Sequence, residues 1–200
     1  LAIDRDEINK ALYFGLAKPR QTTVLSESSY FEPRFETAYT EFDQDRANRL
    51  LDEMGLNKKD RDGFRLRPDG KRLSFTVEYH QANAALFQPM CELVSEQWKE
   101  VGVDVTLKEI SNELQSERAR GNLQDATVWY TDKSMDHTFI MYPMWFVPYN
   151  WNWETTWGVE WTRWYATQGK EGEEPPADMK QLLTRWERMK TTTDTAEMID

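Results

Sequence analysis

Two hundred residues, 39% hydrophobic and 30% charged with a mean hydropathy of −0.80, predict a soluble globular chain able to bury a sizeable core. The net charge of −10 argues against nucleic acid, whose phosphates call for a basic stripe, and the apolar runs fall far short of the ~18 residues of a membrane span. One cysteine, Cys91, excludes an internal disulfide and a cysteine metal cluster, while His80 and His137 stand too far apart in sequence to suggest zinc, so no metal or cofactor is expected.

Leu1-Ala2-Ile3 runs directly into a helix signal, which reads as a piece of a longer protein. Asp4 fits an N-cap and Glu7 the N3 position of a capping box, so a first helix is expected from about Asp4 to Phe14, ending at Gly15. Ala17 to Thr40 shows prolines, serines and aromatics without a period and reads as an extended loop. Asp43 caps a second helix with Ala47, Leu50, Leu51 and Met54 on one face and Gly55 as its stop. The RPDGK turn, Arg67 to Lys71, precedes the alternating strand Leu73, Phe75, Val77 and Tyr79, with Phe64 and Leu66 placed to pair with it as a hairpin.

Ala84 to Val101 has helical spacing, with Pro89 expected to delay the regular part. Val103, Val105 and Leu107 alternate as a second strand. Ser111 caps a short helix stopping at Gly121, and a third strand covers Ala126 to Tyr130. Strand, helix, strand, helix, strand implies an α/β fold with a mainly parallel sheet plus the added hairpin, and ligands at the carboxyl ends of its strands. The third strand ends at Trp129-Tyr130-Thr131-Asp132. Asp132 has two readings there, a carboxylate for a ligand ammonium or a turn cap, while Asp136 and His137 read as loop residues. After the charged turn Gly169 to Pro176 a last helix presents Met179, Leu182, Leu183, Trp186 and Met189 on one face.

The segment WNWETTWGVEWTRWY, Trp151 to Tyr165, divides in two. Trp157, Trp161 and Trp164 at i, i+4, i+7 read as a packed helix stripe. Tyr149, Trp151 and Trp153 sit among polar neighbours and read either as platforms for a ligand or as a loop over the core. Glu154 and Glu160 could form the paired carboxylates of a glycosidase, but two solvated charges are the plainer reading, and no nucleophile elbow, P-loop or dinucleotide loop is present, so an enzyme is not expected.

AIDRDEINKALYFGLAKP (Ala2 to Pro19), FDQDRANRLLDEMG (Phe42 to Gly55), RLRPDGKRLSFTV, SEQWKEVGVDVTLKEI and the strand from Asp125 ending in W-x-x-D at Asp132 stand in the order of the family 5 extracellular solute-binding proteins, which this chain resembles over nearly its whole length. These are the oligopeptide, dipeptide and nickel receptors of ABC importers. The resemblance implies a periplasmic-binding-protein-like, three-layer lobe, residues 1–200 being the second lobe of a two-lobed clamp. It implies no catalysis, an extracytoplasmic location and membrane permease subunits as partners. The solute is then an oligopeptide or, as in some members, an oligosaccharide. It also places Asp132 where peptide binders receive the α-amino group and Trp129 at the motif's tryptophan, so the candidate ligand contacts are Trp129, Asp132, Tyr149, Trp151 and Trp153. DKSMDHTF departs from the usual D-x-x-D-P by lacking the proline and carrying Asp136 one residue late, which leaves the ligand class open.

Overall fold

The structure, a computed structural model, describes residues 1–130, 134–152, 155–194 and 197. Its elements in chain order are α1 (Arg5–Tyr13), α2 (Pro33–Thr37), α3 (Gln44–Glu53), β1 (Ser74–His80), α4 (Ala84–Glu100), β2 (Asp104–Ile110), α5 (Asn112–Arg120), β3 (Ala126–Val128), α6 (Asp136–Met141), α7 (Val159–Ala166) and α8 (Ala177–Met189). Contacts divide them into two compact units. The first holds Leu1–Gln21, Thr37–Ser111 and Asp125–Trp129, and the second holds Thr22–Glu36, Asn112–Gln124 and Tyr130–Asp200.

The first unit is an α/β layer built on a parallel sheet of order β2-β1-β3. The alternation in SFTVEYH sends Val77 and Tyr79 into one core with Phe87 and Cys91 of α4. Glu78, on the opposite face, is fully buried, and Lys108 lies across the register with its Nζ 3.9 Å away. Asp125 extends the β3 edge by accepting the Thr76 amide at 3.0 Å, one residue before the ladder begins at Val77 and Ala126. A second core joins Ala2, Ala47, Val101 and Val103.

Local signals set most helix starts. Asp4 accepts the Glu7 amide at 2.8 Å and Asp43 accepts the Arg46 amide at 2.8 Å. The expected capping box is closed by a third residue instead. The Gln97 side chain accepts from the Asp4 amide at 2.9 Å and donates to Glu7 Oε2 at 2.6 Å, tying α1 to α4.

Three expectations are corrected. The segment read as an extended loop contains α2, and Asp136 and His137 open α6 rather than lying in a loop. The third correction concerns α4, which is regular from Ala84, with Pro89 inside it. Proline in a helix interior costs roughly 3 kcal/mol. Burial of Phe87, worth roughly 1.5–3 kcal/mol, with Cys91 beside it, offsets that cost and keeps the helix continuous. Around the expected turn the hairpin forms as an isolated antiparallel bridge, Leu66 with Arg72, and a second bridge, Lys59 with Arg65, closes the turn before it.

The second unit packs Val147, Leu183 and Trp186 into a core, with Tyr149, Tyr165 and Leu182 against it. Burial of Leu183 and Trp186 matches the predicted face of α8. The tryptophan stripe is arranged differently from its spacing. Trp157 precedes α7 and donates its indole N–H to the Met144 carbonyl at 3.0 Å. Val159 and Thr162 are the buried residues of α7, while Trp161 and Trp164 are half-buried.

Candidate functional site

At the carboxyl end of the sheet β1 finishes on His80, and Trp129 follows β3 directly. Their rings meet edge to face, centroids 6.0 Å apart at 84°, and Phe87 of α4 backs the indole at 6.4 Å. Trp129 is half-buried on that support, which fixes one side of the ring and leaves the other part accessible. His80 Nδ1 accepts the Ala82 amide at 3.1 Å, starting the short 3₁₀ turn that leads into α4. With Nδ1 accepting, the ring proton sits on Nε2, which is buried without a hydrogen-bond partner among the described residues. The carboxyl end of the sheet therefore combines a supported aromatic plane with a buried imidazole beside it. Sequence reading had weighed His80 only as a metal ligand. The signal for its placement was its position as the last residue of the alternating run.

Asp132 and Trp153, two of the five candidate contacts, lie outside the described residues. The remaining two belong to the second unit and are held in different ways. Tyr149 rests on Trp186, centroids 4.3 Å apart, and its hydroxyl donates to the Met141 carbonyl at 3.5 Å. Trp186 in turn donates its indole N–H to the Ile140 carbonyl at 2.9 Å, with Lys190 Nζ 4.1 Å from its ring. Tyr149 is thus a wall of the core as much as a platform.

Trp151 donates its indole N–H to the Arg120 carbonyl at 3.2 Å. The Arg163 guanidinium lies 5.1 Å from its ring and is itself fixed by Glu171 at 2.8 Å. With its N–H engaged and a cation stacked on it, Trp151 has only ring surface left to offer a ligand.

The second unit also holds a cavity of about 430 Å³ walled by Tyr30, Phe139, Leu182 and Trp186, with Arg185 and Arg188 at its edge. Tyr30 and Phe139 face each other at 5.3 Å, and Phe139 continues to Phe146 at 5.3 Å. Arg188 pairs with Glu197, whereas Arg185 has no ion pair among the described residues. This aromatic cavity was not legible in sequence, because its walls come from three separated segments.

Tyr165 and Glu187 show how the second unit absorbs charge. Burial, with the Tyr165 hydroxyl donating a hydrogen bond to the Glu187 carboxylate, raises the Tyr165 pKa well above the usual phenol range. Glu187 is held below its ordinary range by Lys190 first and then Tyr165. No group of three or more metal-ligating side chains occurs among the described residues.

A family model described as bacterial extracellular solute-binding proteins, family 5 Middle, matches residues 1–153. The oligopeptide-binding protein OppA of Lactococcus lactis subsp. cremoris (strain SK11) is 32% identical over 93 residues, which are 46% of this chain and 15% of that protein. A solved oligopeptide-binding protein OppA matches 99% of this chain and 33% of its own, at a TM-score of 0.82 and 36% identity. The periplasmic binding protein MelB of Agrobacterium fabrum C58, solved with stachyose, matches 100% of this chain and 29% of its own, at a TM-score of 0.71 and 20% identity, which is a likeness of fold. The chain thus spans about a third of the length of these solved relatives.

Proposed function

The chain belongs to the bacterial extracellular solute-binding proteins of family 5, and from that premise we propose that residues 1–200 form one lobe of a two-lobed receptor that closes over an oligopeptide and delivers it to an ABC permease. The match over residues 1–153 carries the reading, and the oligopeptide-binding name of its relatives favours peptides. Trp129 at the carboxyl end of the parallel sheet, its ring supported by His80, suits such a role, because peptide and sugar solutes present flat or apolar surface to an aromatic ring. Asp132 receives the peptide's α-amino group in this proposal, and Tyr149, Trp151 and Trp153 contribute ring surface.

The receptor is non-catalytic in this proposal and works outside the cytoplasmic membrane. Among the described residues no helix is long and apolar enough to cross one. An oligosaccharide ligand is the second reading, favoured by the stachyose held by the fold relative MelB.

Thermal-shift screening of the full-length protein against peptides and oligosaccharides tests both. Peptides are expected to raise Tm, and Asp132→Ala should abolish the rise. Sugar hits indifferent to Asp132→Ala would transfer the role to the second reading. Cleavage of a hit during incubation, followed by mass spectrometry, would overturn the non-catalytic assignment.

A further inference from the structure

The cavity of about 430 Å³ in the second unit carries a charge on a face where helix patterning calls for an apolar residue. On α8, Leu182, Arg185, Trp186 and Met189 follow the i, i+3, i+4, i+7 spacing of a single helix face, and all four line the cavity. Three of them are apolar or aromatic. The fourth is an exposed arginine that makes no ion pair among the described residues. The carboxylates around it serve other groups. Glu197, which also lines the cavity, accepts from Arg188 and from the Thr192 hydroxyl at 2.9 Å. Glu187 accepts from Tyr165 and pairs with Lys190, and Asp136 accepts from Ser28 and Ser29.

The aromatic walls are held in place without a ligand. Phe139 stands between Tyr30 and Phe146, with ring centroids 5.3 Å away on each side. The Trp186 indole N–H donates to the Ile140 carbonyl at 2.9 Å, so the ring meets the cavity with its apolar surface. Tyr30 is set by the clasp of Asp136 on the preceding serines, and its own amide donates to Ser28 Oγ at 3.2 Å. A preformed aromatic hollow takes a ring with little side-chain ordering, and its volume lies within the roughly 300–1,000 Å³ of small-molecule pockets.

We infer that this cavity binds an aromatic ring carrying a carboxylate, the ring among Tyr30, Phe139 and Trp186 and the carboxylate on the Arg185 guanidinium. Burial of the ring supplies most of the affinity, because an exposed ion pair contributes only about 0.2–1 kcal/mol. Arg185 supplies the selection for an anion, since its planar fork matches a carboxylate. Two sources share this chemistry, a free aromatic acid and an aromatic residue at the carboxyl terminus of a peptide. None of the five solute contacts proposed above lines the cavity, so the inference stands or falls apart from them.

Calorimetric titration of the full-length protein with 3-phenylpropanoate, 3-phenylpropanamide and N-acetyl-phenylalanine tests it. 3-Phenylpropanoate should bind saturably, and the amide about three- to tenfold more weakly. Arg185→Gln, an exposed substitution expected to leave folding intact, should bring the acid down to the affinity of the amide. Met189→Trp fills the hollow from α8 and should abolish binding of both. N-acetyl-phenylalanine binding more tightly than 3-phenylpropanoate assigns the site to peptide carboxyl termini, and the reverse order assigns it to free acids. No binding of 3-phenylpropanoate up to about 10 mM, equal affinity for acid and amide in the wild type, a preference for the acid retained in Arg185→Gln, or unchanged binding in Met189→Trp each overturns the inference.

Discussion

Gly102 and Arg65 occupy each other's space. A Cβ on Gly102 would stand 2.9 Å from Arg65 Cγ and 3.0 Å from the Gly63 carbonyl oxygen, and Gly102 holds φ at +85°. Through that gap the Arg65 side chain, 2% exposed, runs inward. Its Nε donates to the Val101 carbonyl at 2.7 Å, and Nη1 donates to Asp52 and to the Leu56 carbonyl, both at 2.5 Å. Nη2 donates to Asn48 Oδ1 at 2.6 Å. One guanidinium thereby joins the end of α3, the hairpin and the end of α4.

Gly102→Ala should therefore destabilise the protein by about 1–3 kcal/mol, from left-handed backbone strain with crowding of Arg65 added. Urea unfolding followed by circular dichroism measures it. An unchanged midpoint would mean that Arg65 moves aside without loss.

Arg65→Lys keeps the charge and loses the fork. An ammonium cannot reach the Val101 and Leu56 carbonyls, Asp52 and Asn48 together, so buried acceptors go unpaired, each at about 1–3 kcal/mol. The expected loss is about 2–4 kcal/mol in the same unfolding assay, with little change in the denaturant slope.

Asp136 fastens the segment at residues 28–29 to α6. Its carboxylate accepts from Ser28 Oγ at 2.5 Å, from Ser29 Oγ at 2.6 Å and from the Ser29 amide at 3.0 Å. Those bonds, Ser28 first, hold its pKa below the usual carboxylate range. A depressed carboxyl stabilises the fold above its unfolded pKa of about 3.9, and the contribution disappears as pH falls through the lower folded value. The Ser29 amide should exchange slowly with deuterium at neutral pH and faster once acid protonates Asp136. Asp136→Asn should speed the exchange at neutral pH and flatten its acid dependence.

Trp151 separates packing from recognition. Trp151→Phe keeps a ring but loses the bond to the Arg120 carbonyl, which should cost about 1 kcal/mol of stability while leaving affinity for a stacking solute largely intact. Trp151→Ala removes both. Equal solute affinity in wild type and Trp151→Ala, read by titration of the full-length protein, would make Trp151 a structural residue only.

Much of this was written locally. Asp4 and Asp43 cap their helices because a short carboxylate beside free amides needs no distant partner. The alternation of SFTVEYH assigned Val77 and Tyr79 to one face and Glu78 and His80 to the other. The strand-helix-strand order announced the parallel sheet.

The tertiary structure decided the rest, because its terms come from residues far apart in the chain. Gln97 closes a capping box 90 residues from Glu7. Burial of Phe87 keeps α4 continuous through Pro89, against the local penalty. Arg65, indistinguishable in sequence from its surface neighbours Arg61 and Arg67, becomes the buried clasp only where three elements turn their carbonyls inward and Gly102 leaves room. Spacing could mark Trp151 as an unusual residue. Whether its indole N–H was still free depended on a carbonyl 31 residues away, and only the folded chain brings the two together.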